Sequence, residues 1–236
     1  MTNQLLFGEH FEVLEENEKW YRVKLDHDDY ECWVDKKQVA LLDQDSGDER
    51  QYLLNEANAR VDQEDGTELT IVLGSLIPAQ NDGAFDVGSN KYHLDAEVSD
   101  YDKGTLDDAG DYAHLYRNTP YLWGGRTPFG IDCSGFTQMV YRMCGVALSR
   151  DSHEQAEEGQ RLDVLEEAEE GDLAFFHNKE KRIIHVGIIL EGESGDLNII
   201  HASGKVRIDK LDEKGIYNVD NQDYSHSFSH VCSYDL

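Results

Sequence analysis

The chain has 236 residues, of which 21 are basic and 49 are acidic, giving a formal net charge of −28. This balance argues against nucleic-acid or anionic-membrane partners, because both bind through basic surfaces. Apolar residues make up 39% of the chain, which is enough for packed cores and argues against wholesale disorder. The negative charge favours ligands that carry a free amine, although a solvated acidic surface accounts for it equally well.

Neither the N-terminal sequence nor any apolar run indicates export or insertion into a membrane. Residues 1–19 lack the basic and apolar regions of a signal peptide. The longest apolar run, residues 183–190, is too short to span a bilayer. The sequence therefore predicts a cytoplasmic monomer with no membrane partner. The cysteines are widely scattered without a C-x-x-C pair, which argues against a disulfide framework and a zinc ribbon.

The first half of the chain is predicted to be β-rich. In residues 1–43, "HFEVLEE", "KWYRVKL" and "YECWVD" alternate apolar and polar side chains, as antiparallel strands of a small barrel or meander do. Residues 44–50, "QDSGDER", are predicted to be a linker. A second β-rich segment follows over residues 51–104, with a turn at "QNDG".

The region 105–236 has a different pattern, with helices first and strands afterwards. After a helical pattern and the loop "PYLWGGRTPFG", a helix is predicted to begin at Cys133 and to end at Gly145. Its apolar face comprises Phe136, Met139, Val140, Met143 and Cys144. Asp151 and Glu154 have the spacing of a capping box at the start of another helix. Three strands are predicted at "DLAFFH", "RIIHVGIIL" and "LNIIHASGKVRI", so this region is predicted to be an α+β domain.

Cys133, His185 and His201 are the clearest candidates for residues with a chemical role. The N-terminus of a helix stabilises a thiolate, which is the form in which cysteine is a nucleophile. His185 and His201 lie in consecutive predicted strands. If their hairpin is centred near Glu193, the two histidines lie directly opposite each other, where one imidazole can orient the other.

The residues alone leave three interpretations of this set open. Cys133 could be a buried structural residue, with both histidines satisfied by backbone carbonyls. The same three residues could form a zinc site, although they lack the short spacings typical of one. They could also be the nucleophile, base and orienting residue of a cysteine peptidase.

Several blocks in order then resemble a known family. "YLWGG", "IDCSGFTQMVY", "RDSHEQ", "EEGDLAFFH", "HVGIIL" and "IIHASG", across about residues 110–204, are similar to the NlpC/P60 cysteine peptidases. The N-terminal strands resemble the bacterial SH3-like domains that precede the catalytic domain in some members. The resemblance implies an α+β, papain-like catalytic domain at 105–236 behind two small SH3-like β-barrel domains. These would occupy residues 1–43, apparently without the first strand, and 51–104.

This architecture is similar to the family's γ-D-glutamyl-L-diamino acid endopeptidases. It implies hydrolysis of the bond between γ-D-Glu and meso-diaminopimelate or L-Lys in murein peptides with a free N-terminal L-Ala, in cell-wall peptide recycling. No metal or cofactor is implied. The alternatives are a general peptidoglycan hydrolase or amidase, an N-acyltransferase on the same fold, and a non-catalytic protein that binds cell-wall peptides.

The resemblance also implies roles for individual residues. Cys133 would be the nucleophile, His185 the general base and His201 the orienting residue. Tyr121 would complete the oxyanion hole with the Cys133 backbone N–H; its alternative is a core aromatic beside Trp123.

The resemblance further implies a substrate pocket lined by Asp132, Ser134, Ser152 and Tyr30. Asp132 would bind the substrate's ammonium, with helix capping as the alternative for it and for Ser134. Ser152 could instead simply begin its helix, and Tyr30 could be a half-buried strand aromatic. A Glu in the first strand of related domains has no counterpart here, and Glu9 is a candidate for its role.

Overall fold

The structure is a computed structural model that describes residues 1–42, 51–101, 104–162, 164–192 and 195–234. Apart from Met1, the chain divides into two compact units, residues 2–104 and 105–236. The predicted linker at 44–50 and the predicted hairpin centre at Glu193 lie outside the described residues.

The N-terminal unit begins with an antiparallel meander. Its strands are β1 (Phe11–Glu16), β2 (Trp20–Leu25) and β3 (Glu31–Asp35), paired in that order. They confirm the three strands predicted for this segment. Val23, Leu25 and Val34 are buried together on one face. The period of two along each strand places these apolar side chains inward and their charged neighbours outward.

Seven further strands follow among the described residues of the N-terminal unit. They are β4 (Gln51–Leu54), β5 (Asn58–Gln63), β6 (Glu68–Val72), β7 (Leu76–Pro78), β8 (Ala84–Val87), β9 (Asn90–Leu94) and β10 (Val98–Asp100). They form one sheet in the order β10–β4–β7 and another in the order β6–β5–β9–β8. The predicted turn at "QNDG" is present, and Asp82 and Gly83 adopt φ values of 53° and 79° there.

Phe7 joins the packing of the two β-rich segments. Its ring meets the rings of Phe85 and Tyr92 edge-on, at centroid distances of 6.2 and 5.5 Å. The backbone N–H of Leu76 also donates to the carbonyl of Phe7. In the structure, residues 2–104 form one compact unit. The division of this region into separate domains at 1–43 and 51–104 stays a prediction.

The C-terminal unit has the predicted α+β composition. Its helices are α1 (Ala109–Leu115), α2 (Cys133–Met143) and α3 (Ser152–Gln155). Its strands are β11 (Arg126–Thr127), β12 (Gly130–Ile131), β13 (Gln160–Leu162), β14 (Leu173–His177), β15 (Ile183–Glu191), β16 (Leu197–Ser203), β17 (Lys205–Asp212), β18 (Gly215–Asn218) and β19 (Asp223–Ser233).

Most of these strands form one antiparallel sheet that closes on itself. The order is β13–β19–β14–β15–β16–β17–β18, and β18 also pairs with β19. A buried cluster from these strands and the segment before β14 contains Leu165, Ala174, Phe176, Ile189, Ile199, Leu211, Ile216 and Val231. Helix α2 packs against β15 and β16. The helix is therefore held against the strands that carry His185 and His201.

The strand prediction for this unit differs from the structure in several places. "LNIIHASGKVRI" forms two strands, because the chain turns at Gly204, whose φ of 71° is in the region that favours glycine. The short strands β11, β12 and β13 and the longer β18 and β19 were not predicted. β19 is rich in serine and histidine, so it lacks the run of apolar residues that marks a buried strand.

The predicted bounds of α2 are confirmed. The helix begins at Cys133 and gives way at Cys144 to Gly145, whose φ is 81°. The predicted apolar face is buried, but so is every other residue of this helix. Helix α2 is therefore a core helix rather than a surface amphipathic one. Within the described ranges, no helix combines the length and hydrophobicity needed to cross a bilayer.

Candidate active site

The N-terminus of α2 is fixed by the side chain of Asp132. One carboxylate oxygen accepts the backbone N–H of Gly135 at 2.7 Å, and the other accepts that of Gly124 at 2.7 Å. The first bond caps the helix, as an N-cap aspartate is expected to do. The second ties the "WGG" loop to the same carboxylate. Cys133 is consequently held as the first residue of the helix.

Arg150 completes the surroundings of this carboxylate. Its guanidinium donates to both oxygens of Asp132 at 3.1 and 2.7 Å, and to the hydroxyl of Ser134 at 3.0 Å. Arg150 is only 1% exposed. Both carboxylate oxygens are thus already bonded, and the charge is paired. The capping alternative for Asp132 is observed, and its contact with a substrate ammonium stays a prediction.

Ser152 begins α3, as its structural alternative stated. The predicted capping box is wrong, because the side chain of Asp151 makes no capping hydrogen bond. The helix spans only four residues and ends before a box could stabilise a full second turn. A role for Ser152 in substrate binding stays a prediction.

The histidines of β15 and β16 meet, but not in the predicted register. Ile188 lies opposite Ile200, and this register places Gly187 rather than His185 beside His201. The prediction that the two histidines are directly opposite is therefore wrong. They are diagonal neighbours on the same face, because a shift of two residues preserves the face of each side chain. The Nε2 of His185 and the Nδ1 of His201 are 2.8 Å apart.

A buried aspartate extends this pair. The Nε2 of His201 lies 3.1 Å from a carboxylate oxygen of Asp209, on β17. Arg207 donates to the two oxygens of Asp209 at 2.7 and 2.8 Å, and the Val219 N–H donates at 3.1 Å. Burial alone would raise the pKa of Asp209, but the hydrogen bonds from His201, Arg207 and Val219 outweigh it and hold that pKa well below its ordinary value. Asp209 is therefore an anion that can only accept.

The ionised aspartate fixes the proton positions along the chain of groups. His201 must donate through Nε2 to Asp209, so its Nδ1 carries a lone pair when the ring is neutral. That lone pair accepts the Nε2–H of His185. The Nδ1 of His185 is then unprotonated. Burial, followed by the proximity of His201 and His226, lowers the pKa of His185 well below its ordinary value, so the ring is neutral at pH 7.

The Cys133 thiol lies against the strand that carries His185. Its sulfur accepts hydrogen bonds from the backbone N–H groups of Val186 and Ser134. Cys133 is only 8% exposed. Burial and the nearby Asp132 carboxylate raise the pKa of the thiol to about 12, and these two N–H groups oppose that rise without cancelling it. The thiolate expected from the helix N-terminus is therefore not the resting form, and formation of the thiolate requires a base.

Tyr121 is not a core aromatic. It is 36% exposed, and its neighbour Trp123 is 70% exposed, which excludes the structural alternative of a shared core. Burial, the Cys133 thiol and Asp132 together raise the pKa of the Tyr121 phenol to about 12. The phenol is therefore a protonated donor near the sulfur at neutral pH. This arrangement supports the predicted oxyanion role without testing it.

His226, on β19, joins the site and was not predicted. Its ring stacks on that of His185 at a centroid distance of 4.1 Å and an interplanar angle of 20°. Both rings lie close to Phe176, a member of the buried cluster. Burial and the nearby His201 lower the pKa of His226 to about 4, against the opposing effect of Asp209.

The low pKa of His226 predicts acid destabilisation of the C-terminal unit. Because the folded-state pKa of about 4 is below the unfolded value near 6.5, the unfolded state binds the proton first. The contribution of this group to stability is complete above pH 6.5 and is lost as the pH falls towards 4. We expect His226→Phe, which cannot titrate, to flatten the fall in free energy of unfolding over this range. Chemical denaturation at several pH values measures it, with the surface substitution His153→Gln as the control. An unchanged slope in His226→Phe would contradict the assignment.

The remaining predicted residues lie in the N-terminal unit. Tyr30 is half-buried beside the meander core, and its N–H donates to a carboxylate oxygen of Asp28 at 3.1 Å. This matches its structural alternative, and its contact with substrate stays a prediction. The Glu9 carboxylate is buried and accepts the Leu6 N–H at 2.8 Å. A role for Glu9 in binding an amine also stays a prediction.

Sequence reasoning also missed Arg150, Arg207 and Asp209. The sequence pattern around Arg207 and Asp209 predicts a strand, because these two residues alternate with Val206 and Ile208. Polar residues on one face of a strand usually face solvent, so the pattern did not indicate burial. In the part of the chain that the structure describes, no group of three or more histidine, cysteine or carboxylate side chains is arranged to hold a metal ion.

Comparisons with known proteins match two separate parts of the chain to known families. Residues 118–223 match the NlpC/P60 family, and residues 1–39 match the bacterial dipeptidyl-peptidase SH3 domain. The chain is 29% identical over 209 residues to the γ-D-glutamyl-L-lysine dipeptidyl-peptidase of Bacillus subtilis, covering 81% of this chain and 70% of that protein. It is 34% identical over 125 residues to the protein of the same name from Bacillus cereus, covering 52% of this chain and 33% of that one.

The fold has a counterpart among solved structures. An NlpC/P60 family protein from Bacillus cereus superposes with a TM-score of 0.81 at 23% identity, covering 99% of this chain and 82% of that one. At this identity the likeness concerns the fold. It confirms a papain-like α+β domain preceded by an SH3-like, β-rich region.

Proposed function

We propose that this chain, through its NlpC/P60 domain matched at residues 118–223, is a cysteine peptidase that cleaves the γ-D-glutamyl–diamino acid bond of murein peptides. Relatives named γ-D-glutamyl-L-lysine dipeptidyl-peptidases support this substrate class, as does the match of residues 1–39 to the bacterial dipeptidyl-peptidase SH3 domain. Cleavage of peptides with a free N-terminal L-Ala, in cell-wall peptide recycling in the cytoplasm, is part of the proposal.

The hydrogen-bonded series from Asp209 through His201 to His185 is the observation that carries the proposal. It leaves the Nδ1 of His185 unprotonated. The backbone N–H of the next residue, Val186, donates to the Cys133 sulfur. A structural pair of histidines would need no such fixed tautomer. A non-catalytic binding protein would need neither the base nor the thiol at a helix N-terminus.

The first chemical step is thioester formation. The Nδ1 of His185 takes the proton of the Cys133 thiol, and the sulfur attacks the γ-carbonyl carbon of D-Glu. The oxyanion that forms accepts hydrogen bonds from the Cys133 backbone N–H and from the Tyr121 hydroxyl. The imidazolium of His185 then donates its proton to the diamino acid nitrogen, and the C–N bond breaks to release the amine.

The second step regenerates the enzyme. His185 removes a proton from water, and the resulting hydroxide attacks the thioester carbonyl. The C–S bond breaks, L-Ala-γ-D-Glu leaves as a carboxylic acid, and the sulfur regains a proton from His185. His201 stabilises each imidazolium, because the Asp209 carboxylate partly neutralises the charge through it.

Hydrolysis of a defined tripeptide tests the proposal. We expect L-Ala-γ-D-Glu-meso-diaminopimelate to give L-Ala-γ-D-Glu and free diaminopimelate, which mass spectrometry identifies. The matched substrate with an acetylated N-terminus should be cleaved much more slowly if a free amine is recognised.

The other outcomes have clear meanings. Equal cleavage of the two substrates would overturn the recycling specificity and indicate a general wall hydrolase. Release of the whole peptide from N-acetylmuramoyl peptides, with a free N-terminal L-Ala and an intact γ-bond, would indicate an amidase. Absence of cleavage in both assays would contradict the proposed peptidase activity.

A further inference from the structure

A groove of about 440 Å³ lies beside His226, the ring that stacks on His185. It is formed by the turn between β14 and β15 and by the neighbouring part of β19. The lining residues are His177, Asn178, Lys179, Lys181, Ile184, Ser225, His226 and Ser227. None of the residues described above as nucleophile, base, orienting residue or oxyanion donor lines this groove.

The chemistry of the groove is that of an anion site. No carboxylate lines it, although 49 of the 236 residues of the chain are aspartate or glutamate. It offers two ammonium groups, an amide and two hydroxyls instead. Within the described ranges, neither Lys179 nor Lys181 forms an ion pair with a carboxylate. Such donors bind carboxylates, and ammonium groups make the stronger, charge-assisted bonds.

The turn holds Lys181 in a defined position. The side-chain oxygen of Asn178 accepts the backbone N–H groups of Glu180 and Arg182, each at 3.0 Å. Lys181 itself adopts a φ of 63°, which is uncommon and unfavourable for a residue other than glycine. The hydrogen bonds of the Asn178 side chain therefore hold Lys181 in a left-handed conformation that an ordinary polar turn would not require.

The imidazole of His177 accepts a hydrogen bond from the ammonium of Lys181. The Nδ1 of His177 lies 2.8 Å from the carbonyl of Asn178, so Nδ1 donates and Nε2 carries the lone pair. Lys181 donates to that Nε2 at 2.8 Å. This bond orients the ammonium at the groove wall and leaves its charge unneutralised, since the imidazole is a neutral acceptor.

The position of the groove indicates what it binds. His185 is the group that protonates the departing amine, so the diamino acid lies on the side of His185 during the reaction. His226 is in contact with His185 on one side and lines the groove on another. We propose that this groove binds a carboxylate of the diamino acid leaving group through Lys179 and Lys181. The inference rests on the proposed function.

Paired substrates and lysine substitutions test the groove. The substrates are L-Ala-γ-D-Glu-L-Lys with a free carboxylate, the same peptide as its C-terminal amide, and L-Ala-γ-D-Glu-meso-diaminopimelate. We expect kcat/KM of the intact enzyme to favour the free acid over the amide by about tenfold or more, the effect of a charge-assisted bond. Lys179→Gln/Lys181→Gln should reduce this preference to near unity, mainly by raising KM for the acid.

Arg182→Gln is the control. It removes one positive charge from the same turn, against two in the double variant, at a residue that does not line the groove, and it should retain the preference. If the distal carboxylate of diaminopimelate is the ligand, the double variant should instead lose a preference for that substrate over L-Lys. Either loss supports the groove and identifies which carboxylate it binds.

The contrary results are equally distinct. If the double variant retains the preferences of the intact enzyme, the groove does not bind the leaving group, and the proposed peptidase activity is unaffected. The same conclusion follows if Arg182→Gln alters the preferences as much as the double variant does. If the intact enzyme cleaves none of the three peptides, both the groove and the proposed function are overturned.

Discussion

Replacing Cys133 with alanine should lower γ-D-glutamyl hydrolysis by about 10⁵-fold, the scale on which removal of a nucleophile acts in peptidases. In the proposed mechanism the thiol forms the covalent intermediate, and no other cysteine lies at the N-terminus of α2. The substitution removes one small, buried atom, so the free energy of unfolding should change by only about 1 kcal/mol. Product formation by mass spectrometry and the melting temperature measure the two effects.

Cys144 provides the matched control for this substitution. It is a buried cysteine that caps the other end of the same helix. Cys144→Ala should therefore retain activity, with at most a modest loss of stability. Substantial turnover by Cys133→Ala would eliminate the covalent mechanism. Equal inactivity of a well-folded Cys144→Ala would show that the assay reports packing of α2 rather than the nucleophile.

The local features of the site could be predicted because they depend on neighbouring residues. The start of α2 at Cys133 follows from Asp132 as N-cap, and its end follows from Gly145. The role of Arg150 could not be predicted in this way. It reaches Asp132 across 18 positions of sequence, through packing that no local pattern encodes.

The histidine pair shows that a sequence specifies the face on which a strand residue lies but not the register between strands. Alternation predicts the face of a strand, and His185 and His201 do share a face. Register depends on the connecting loop, so the predicted alignment was wrong by two residues. The contact survived because two is the period of a strand, whereas a shift of one would have separated the rings.

Residues in late strands were harder to assign for a different reason. The closure of β18 onto β19 brings His226 to the site and buries Asp209. In a flat sheet, the polar faces of these strands would be solvated. Curvature and closure are properties of the whole sheet, and the alternating polar residues of β17 and β19 carry no local signal of them.

The protonation states of the site make its positioning groups essential. With the pKa of Cys133 raised to about 12 and the pKa of His185 lowered, the resting site holds a neutral thiol and a neutral imidazole. Transfer of the proton creates two charges in a buried space, which is costly unless fixed dipoles and charges stabilise them. The N–H groups on the sulfur stabilise the thiolate, and His201 with Asp209 stabilises the imidazolium.

Asp209→Asn should consequently lower kcat by about 10²-fold with little change in KM. An Asp→Asn change at the orienting position of a serine protease lowers kcat by roughly 10⁴, and one additional ring separates Asp209 from the base here. The amide N–H₂ can donate to the Nε2 of His201, which reverses the tautomer of both rings. The Nδ1 of His185 then carries the proton and cannot accept one from Cys133. Steady-state kinetics on the tripeptide measures the loss.

The pH profile separates this positioning role from a structural one. Burial lowers the pKa of His201 below its ordinary value, and the Asp209 carboxylate opposes this fall and so increases the affinity of the pair of rings for a proton. Removing the carboxylate lowers that affinity, so the acid limb of kcat/KM should move to lower pH although the plateau falls. Partial unfolding would lower the plateau without moving the limb.

Asp212→Asn is the matched control, since Asp212 lies on the same strand but is exposed and bonded to Tyr224. It should leave both the plateau and the limb unchanged. Nitrogen chemical shifts of the His185 ring provide a second readout, because the tautomer reverses only if Asp209 sets it. An Asp209→Asn variant that keeps the original tautomer and an unshifted acid limb would show that His201 orients the base without Asp209.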